Sequence, residues 1–86
     1  MAKQFRLQVF TQEKKVLDEA VTSLVAPGAE GYFGVLADHA PLIASLGKGT
    51  LTVSAGSGEH KYTISGGFLE VSQNQATILA DSLVAA

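Results

Sequence analysis

The chain has no cysteine and no tryptophan, and only one methionine and two prolines in 86 residues. Without cysteine there is no disulfide framework and no thiolate metal site. Charge is scarce as well: charged residues make up 16% of the chain, for a net charge of -2. Binding to nucleic acid needs a basic face for the phosphates, so this balance argues against such a partner. Long apolar runs are missing, since none approaches the roughly 20 residues that cross a bilayer. The opening "MAKQFRLQVF" lacks the apolar core of a signal peptide. The expectation is one soluble domain in a reducing compartment, burying about 60–65% of its unfolded surface.

What is present is a period of two. In "QFRLQVF", Phe5, Leu7 and Val9 alternate with Gln4, Arg6 and Gln8. Leu51 and Val53 alternate with Thr50, Thr52 and Ser54, and Tyr62 and Ile64 with Lys61 and Thr63. "GFLEVS" and "ATILAD" read the same way. Short alternating runs of this kind predict half-buried strands. Between them lie turn signals: "TQEKK", "APGAEG", "ADHAP", "LGKG", "AGSGEH", "SGG" and "SQNQ". The predicted fold is an antiparallel β domain, with Phe5, Leu7, Val9, Val21, Val25, Leu51, Val53, Ile64, Leu69, Val71 and Ile78 inside. "HAPLIASL" fits a strand or a single helical turn. In "APGAEG", Pro27 presets φ and Gly28 supplies positive φ, the type II turn pattern. The two glycines of "SGG" predict a tight turn or bulge with positive φ or close backbone approach.

Catalytic equipment is thin. "SLGKGT" fails the phosphate-loop pattern twice, with Leu42 where the first Gly belongs and Gly49 where Ser or Thr belongs. It reads as a hairpin turn with an exposed Lys48. Asp38-His39 and Glu59-His60 offer two imidazoles on separate turns with no third ligand at short spacing, a poor zinc site. Nucleophilic catalysis needs a base and a group that orients it, and no such arrangement is recognisable. The residues alone therefore predict a binding or assembly module with no metal and no cofactor.

Longer motifs say more. "VAPGAEGYFGVLADHAPLIASLGKGTLTV" followed by "ISGGFLEVSQNQATILAD" resembles the N-terminal domain of the ATP synthase epsilon subunits of bacteria and chloroplasts. The shared pattern is P-G-x-E-G-x-x-G-x-L, then G-H-A-P-L, then S-G-G-F-x-E-V, then V-x-x-L-A-D. Residues 25–81 follow it nearly throughout, and "FRLQVFTQEKKVLDEAV" fits an opening hairpin.

The resemblance implies a flattened antiparallel β-sandwich of about ten short strands, spanning residues 1–86. It also implies a non-catalytic rotor subunit on the cytoplasmic or stromal face of the coupling membrane. In this reading the loop Ala29, Glu30, Gly31, Tyr32 meets the polar loops of the c-ring. The segment His39, Ala40, Pro41, Leu42, Ile43 lies near the gamma subunit. Such a rotor element couples ring rotation to the catalytic head without binding substrate. Three departures stand out. Asp38 replaces the Gly that precedes the His, a turn position Asp tolerates because it enters the left-handed region more readily than most residues. Tyr32 stands where relatives often carry an acid, so a cation–π contact or a hydroxyl hydrogen bond would replace an ion pair there. The final "SLVAA" is too short for the helical hairpin that follows L-A-D in most members, which implies coupling without that hairpin's inhibitory role. The alternative is a stand-alone β-sandwich binding or swinging-arm carrier module. A carrier needs a Lys at a hairpin tip in its own motif, and neither "GKG" nor "HKY" supplies it.

Overall fold

Alternation decides the first strand. In β1 (Phe5–Phe10), Phe5, Leu7 and Val9 are buried, while Arg6 is exposed and Gln8 half-buried. A computed structural model describes residues 3–86 and continues with β2 (Lys15–Val21), β3 (Ser23–Gly28), β4 (Gly31–Leu36), β5 (Leu42–Ala55), β6 (Gly58–Ser72) and β7 (Gln75–Ala85). All seven belong to one sheet in the order β2-β1-β7-β6-β5-β3-β4. "HAPLIASL" runs into β5 and is a strand from Leu42.

The sheet makes a sandwich by folding over on itself. Three strands are long, at 14, 15 and 11 residues for β5, β6 and β7. Their pairing lapses on one line across the sheet, between Leu46 and Lys48, between Ser65 and Gly67, and between Ala80 and Ser82. On that line sit Gly47, Gly66 and Asp81. The inward phase of the alternation flips there in all three strands. Ile64 is buried on one side and Leu69 and Val71 on the other; Leu46 gives way to Leu51 and Val53; Ala76, Ile78 and Ala80 give way to half-buried Leu83. A strand with period two changes its inward parity only where an irregularity intervenes. Gly66 (φ 75°) and Gly67 (φ 120°) supply it. A Cβ on Gly67 would collide with the backbone oxygen of Leu79. Hence seven strands do the work expected of about ten, because each long strand serves both layers.

One ladder departs from the antiparallel expectation. β1 pairs with β2 antiparallel but with β7 in parallel, from Arg6↔Gln75 to Phe10↔Leu79. Period two identifies a strand without indicating the direction of its neighbour.

The core forms one cluster from both layers, and no polar or charged side chain is buried in it among the described residues. Burying each Leu, Ile or Val contributes about 1.5–3 kcal/mol. Every expected core residue is buried except Val25, which is 40% exposed. The phase of β3 is one residue off the expected one: Leu24 and Ala26 point inward, and Val25 faces out opposite Gly34. Two turn expectations also shift. Pro27 and Gly28 lie in β3, and the turn falls at Ala29–Glu30, with positive φ at Gly31 (137°). Gly28 is required by crowding instead, because a Cβ there would sit 2.6 Å from the Gly31 oxygen and 2.9 Å from the Phe33 ring. "LGKG" is no hairpin turn either: it lies inside β5 at the fold line.

Candidate functional site

The β3–β4 hairpin tip is held against β5. The Ala29 N–H donates to the Ser45 carbonyl at 2.9 Å. This brings residues 28–31 beside Ile43, Ala44 and Ser45, and together with Phe33 they line an open groove of about 370 Å³. Two segments expected to serve different partners, Ala29–Gly31 and the end of His39–Ile43, thus border one surface. Glu30 is exposed at its rim and has no ion-pair partner among the described residues.

Tyr32 points elsewhere. Its ring crosses β3 over Pro27, its cross-strand partner, and its hydroxyl reaches Gly49 and accepts the Thr50 N–H at 3.0 Å. The β3–β5 ladder shifts register between Val25 and Gly28, so Tyr32 supplies an acceptor where β3 leaves a gap. The residue is still 60% exposed, and its hydroxyl keeps a proton to donate.

The segment before β5 is built by a turn and a staple. Asp38 takes positive φ (63°), as its residue type allows, and the His39 N–H donates to the Leu36 carbonyl at 3.2 Å. Asn74 reaches this turn from the β6–β7 hairpin. Its Oδ1 accepts the Asp38 N–H at 2.7 Å, and its Nδ2 donates to the Gln4 carbonyl at 3.0 Å. Lys3 adds an exposed pair to the Asp38 carboxylate at 2.8 Å. His39 Nδ1 lies 2.7 Å from the Ala40 carbonyl. Ala40 and Pro41 join this turn to β5. Leu42 is half-buried against the core, whereas Ile43 is 72% exposed. Ile43, then, is the apolar side chain this segment presents.

Some surface features were not anticipated. Register places Phe68 opposite Leu79, and Leu79 beside Phe10. Phe68 (47%) and Leu79 (44%) are exposed, forming an apolar row on the outer face of the layer that carries Ile43. The signal was present in the alternation, since a buried Leu69 and Ile78 oblige Phe68 and Leu79 to face out. The role of Asn74 had no sequence signal beyond its turn.

Catalytic arrangements stay weak in three dimensions. Ser57 Oγ and His60 Nε2 are 3.5 Å apart in an exposed hairpin, and no hydrogen bond orients the other ring nitrogen among the described residues. Lys48 and Lys61 lie within β5 and β6, not at hairpin tips as a carrier domain requires.

A family model described as the β-sandwich domain of the ATP synthase delta/epsilon chain matches residues 4–86. The chain belongs to this family. It is 46% identical over 82 residues to an ATP synthase epsilon chain of Desulforamulus reducens, covering 95% of this chain and 62% of that one. It is 44% identical over 80 residues to a sodium ion specific ATP synthase epsilon chain of Propionigenium modestum, covering 93% and 58%. The chain therefore spans roughly three-fifths of the length of these relatives. Among solved structures, a chain in the OSCP/F1/c-ring assembly of the Euglena gracilis mitochondrial ATP synthase superimposes with a TM-score of 0.90 at 32% identity, covering 95% of this chain and 53% of that one. A chain in the central stalk/c-ring of the Tetrahymena thermophila mitochondrial enzyme shares the fold, with a TM-score of 0.81 at 17% identity, covering 98% and 68%.

Proposed function

We propose that this domain is a non-catalytic element of an ATP synthase rotor, seated between the gamma subunit and the polar loops of the membrane c-ring. It transmits ring rotation to the stalk and turns over no substrate. The observation that carries the reading is the family match across residues 4–86. The groove between Ala29–Gly31 and Ile43–Ser45 supports it, because one surface there borders both proposed contacts. Gamma packs on the His39–Ile43 segment, with Ile43 entering the interface core and the Phe68–Leu79 row extending the apolar area. An apolar centre with a polar rim is the usual anatomy of such contacts. The ring meets the exposed tip at Ala29, Glu30, Gly31 and Tyr32. No helix among the described residues is long and apolar enough to cross a membrane, so the domain attaches to the membrane through its partners.

The test is binding to purified gamma subunit and to purified c-ring. Ile43→Asp is expected to weaken binding to gamma while leaving the circular dichroism spectrum unchanged. Leu42→Asp is a poorer probe, since Leu42 also packs on the core. On the ring, Tyr32→Ala is expected to do more damage than Glu30→Ala, with little salt dependence. The reverse order with steep salt dependence transfers the ring contact to Glu30. Unchanged affinity of Ile43→Asp for gamma refutes the proposed face.

A further inference from the structure

The S-G-G and L-A-D motifs meet in space. Gly66 and Gly67 on β6 lie beside Ala80 and Asp81 on β7 at the fold line. Gly66 takes positive φ (75°), and a Cβ there would collide with the Asp81 carboxylate. The glycine therefore leaves room for that carboxylate to lie against the sheet.

Asp81 also borders a hollow. With Phe10, Gly67, Phe68, Leu79 and Ala80 it lines a cavity of about 180 Å³ on the outer face. Register sets Phe10, Leu79 and Phe68 side by side on three neighbouring strands. The walls are thus two aromatic rings and a leucine, with a carboxylate at the rim. That charge is uncompensated. Of the three aspartates in the chain, Asp18 is paired with Arg6 and Lys15, and Asp38 with Lys3, whereas Asp81 has no ion-pair partner among the described residues.

We infer that this hollow takes an arginine side chain from a partner protein, with its guanidinium on the Asp81 carboxylate and against the Phe68 ring. Arginine suits the site better than lysine. A guanidinium is planar and weakly hydrated, stacks on aromatic faces and binds a carboxylate through two parallel hydrogen bonds, whereas an ammonium holds its water strongly. A second copy of this chain is a poor donor. Its only arginine is Arg6, which already donates to Asp18 at 2.9 and 2.8 Å. The Phe68–Leu79 row belongs to the face assigned above to the gamma subunit. On that reading, which this inference rests on, the arginine is the gamma subunit's.

The experiment has two arms, both on the intact chain. In the first, N-acetyl-arginine amide and N-acetyl-lysine amide are titrated in while the ring resonances of Phe10 and Phe68 are followed by NMR. In the second, purified gamma subunit is titrated against wild type, Asp81→Asn, Phe68→Ala and Glu59→Gln. Glu59 is an exposed acid outside the hollow, so its loss removes the same charge elsewhere. The arginine amide should shift both rings in wild type, the lysine amide should shift them less, and Asp81→Asn should abolish the shift. Asp81→Asn and Phe68→Ala should each bind gamma at least about tenfold more weakly, the loss expected for a charged or aromatic residue at an interface centre. Glu59→Gln should bind as wild type does. Wild-type affinity in Asp81→Asn, or an equal loss in Glu59→Gln, overturns the inference while leaving the gamma contact intact. Rings that ignore the arginine amide, or that respond equally to the lysine amide, overturn the choice of arginine. A melting temperature of Asp81→Asn well below wild type overturns it by making the carboxylate structural. Failure of the wild type to bind gamma at all defeats the preceding reading and the gamma arginine with it.

Discussion

The Tyr32 hydroxyl accepts the Thr50 backbone N–H at 3.0 Å, reaching from β4 across the whole width of β3 to β5. The bond closes a gap left by the register shift between Val25 and Gly28. Tyr32→Phe keeps the ring over Pro27 but removes the acceptor. It should cost about 1 kcal/mol, read as a lower denaturant midpoint with an unchanged slope. A variant as stable as wild type would show that water replaces the hydroxyl at no cost.

The fold line should be intolerant where the backbone is strained and tolerant where it is open. Gly67 has positive φ, and a Cβ there meets the Leu79 oxygen. Gly56, in the β5–β6 turn, has open space around it. Gly67→Ala should lose at least about 1–3 kcal/mol, and Gly56→Ala should stay within about 0.5 kcal/mol of wild type. Thermal melts of the two variants side by side make the comparison.

Leu69 is fully buried where the two layers meet. Leu69→Ala leaves a cavity as well as losing transfer energy, for about 2–5 kcal/mol. That is a large share of the stability of a small domain. Equilibrium unfolding in urea measures it.

Acid should weaken the β1–β2 edge through Asp18. Arg6 donates to its carboxylate at 2.8 and 2.9 Å, Lys15 at 2.9 Å and Gln8 at 3.3 Å. The Arg6 hydrogen bonds, then those of Lys15, hold the Asp18 carboxyl well below the usual carboxylate range. A folded-state value lowered in this way contributes stability that is complete above the unfolded value, near ~4. The contribution is lost as pH falls from there toward the folded value. Melting temperature followed from pH 6 downward should fall less steeply for Asp18→Asn than for wild type.

Asn74→Gly separates turn from staple. Glycine keeps the positive φ that Asn74 adopts (59°) while removing both side-chain hydrogen bonds. The expected loss is about 1 kcal/mol, with faster exchange of the Asp38 amide. If that amide exchanges at the wild-type rate, the staple does not order the His39 turn.

Much of this molecule is local. A strand places successive side chains on opposite faces, so alternation alone marks Phe5, Leu7, Val9, Leu51, Val53, Ile64, Leu69, Val71 and Ile78 as core. Gly31, Asp38, Gly58 and Asn74 mark turns, because few other residues fit their positive φ, whereas the turn signals at Pro27–Gly28 and "LGKG" lie inside strands. The motifs around His39 and Gly66 carried the family. Tertiary structure decided what a period of two cannot express. It made β1 and β7 parallel, merged neighbouring strands through the phase flip at Gly47, Gly66 and Asp81, and turned Val25 outward by one residue of register. It also laid Tyr32 over Gly49, set Asn74 beneath Asp38, and brought Ala29–Gly31 against Ile43–Ser45. These are contacts between residues far apart in the chain. They are chosen by which register buries the most apolar surface and leaves the fewest backbone groups unpaired, and that sum exists only once both layers are in place.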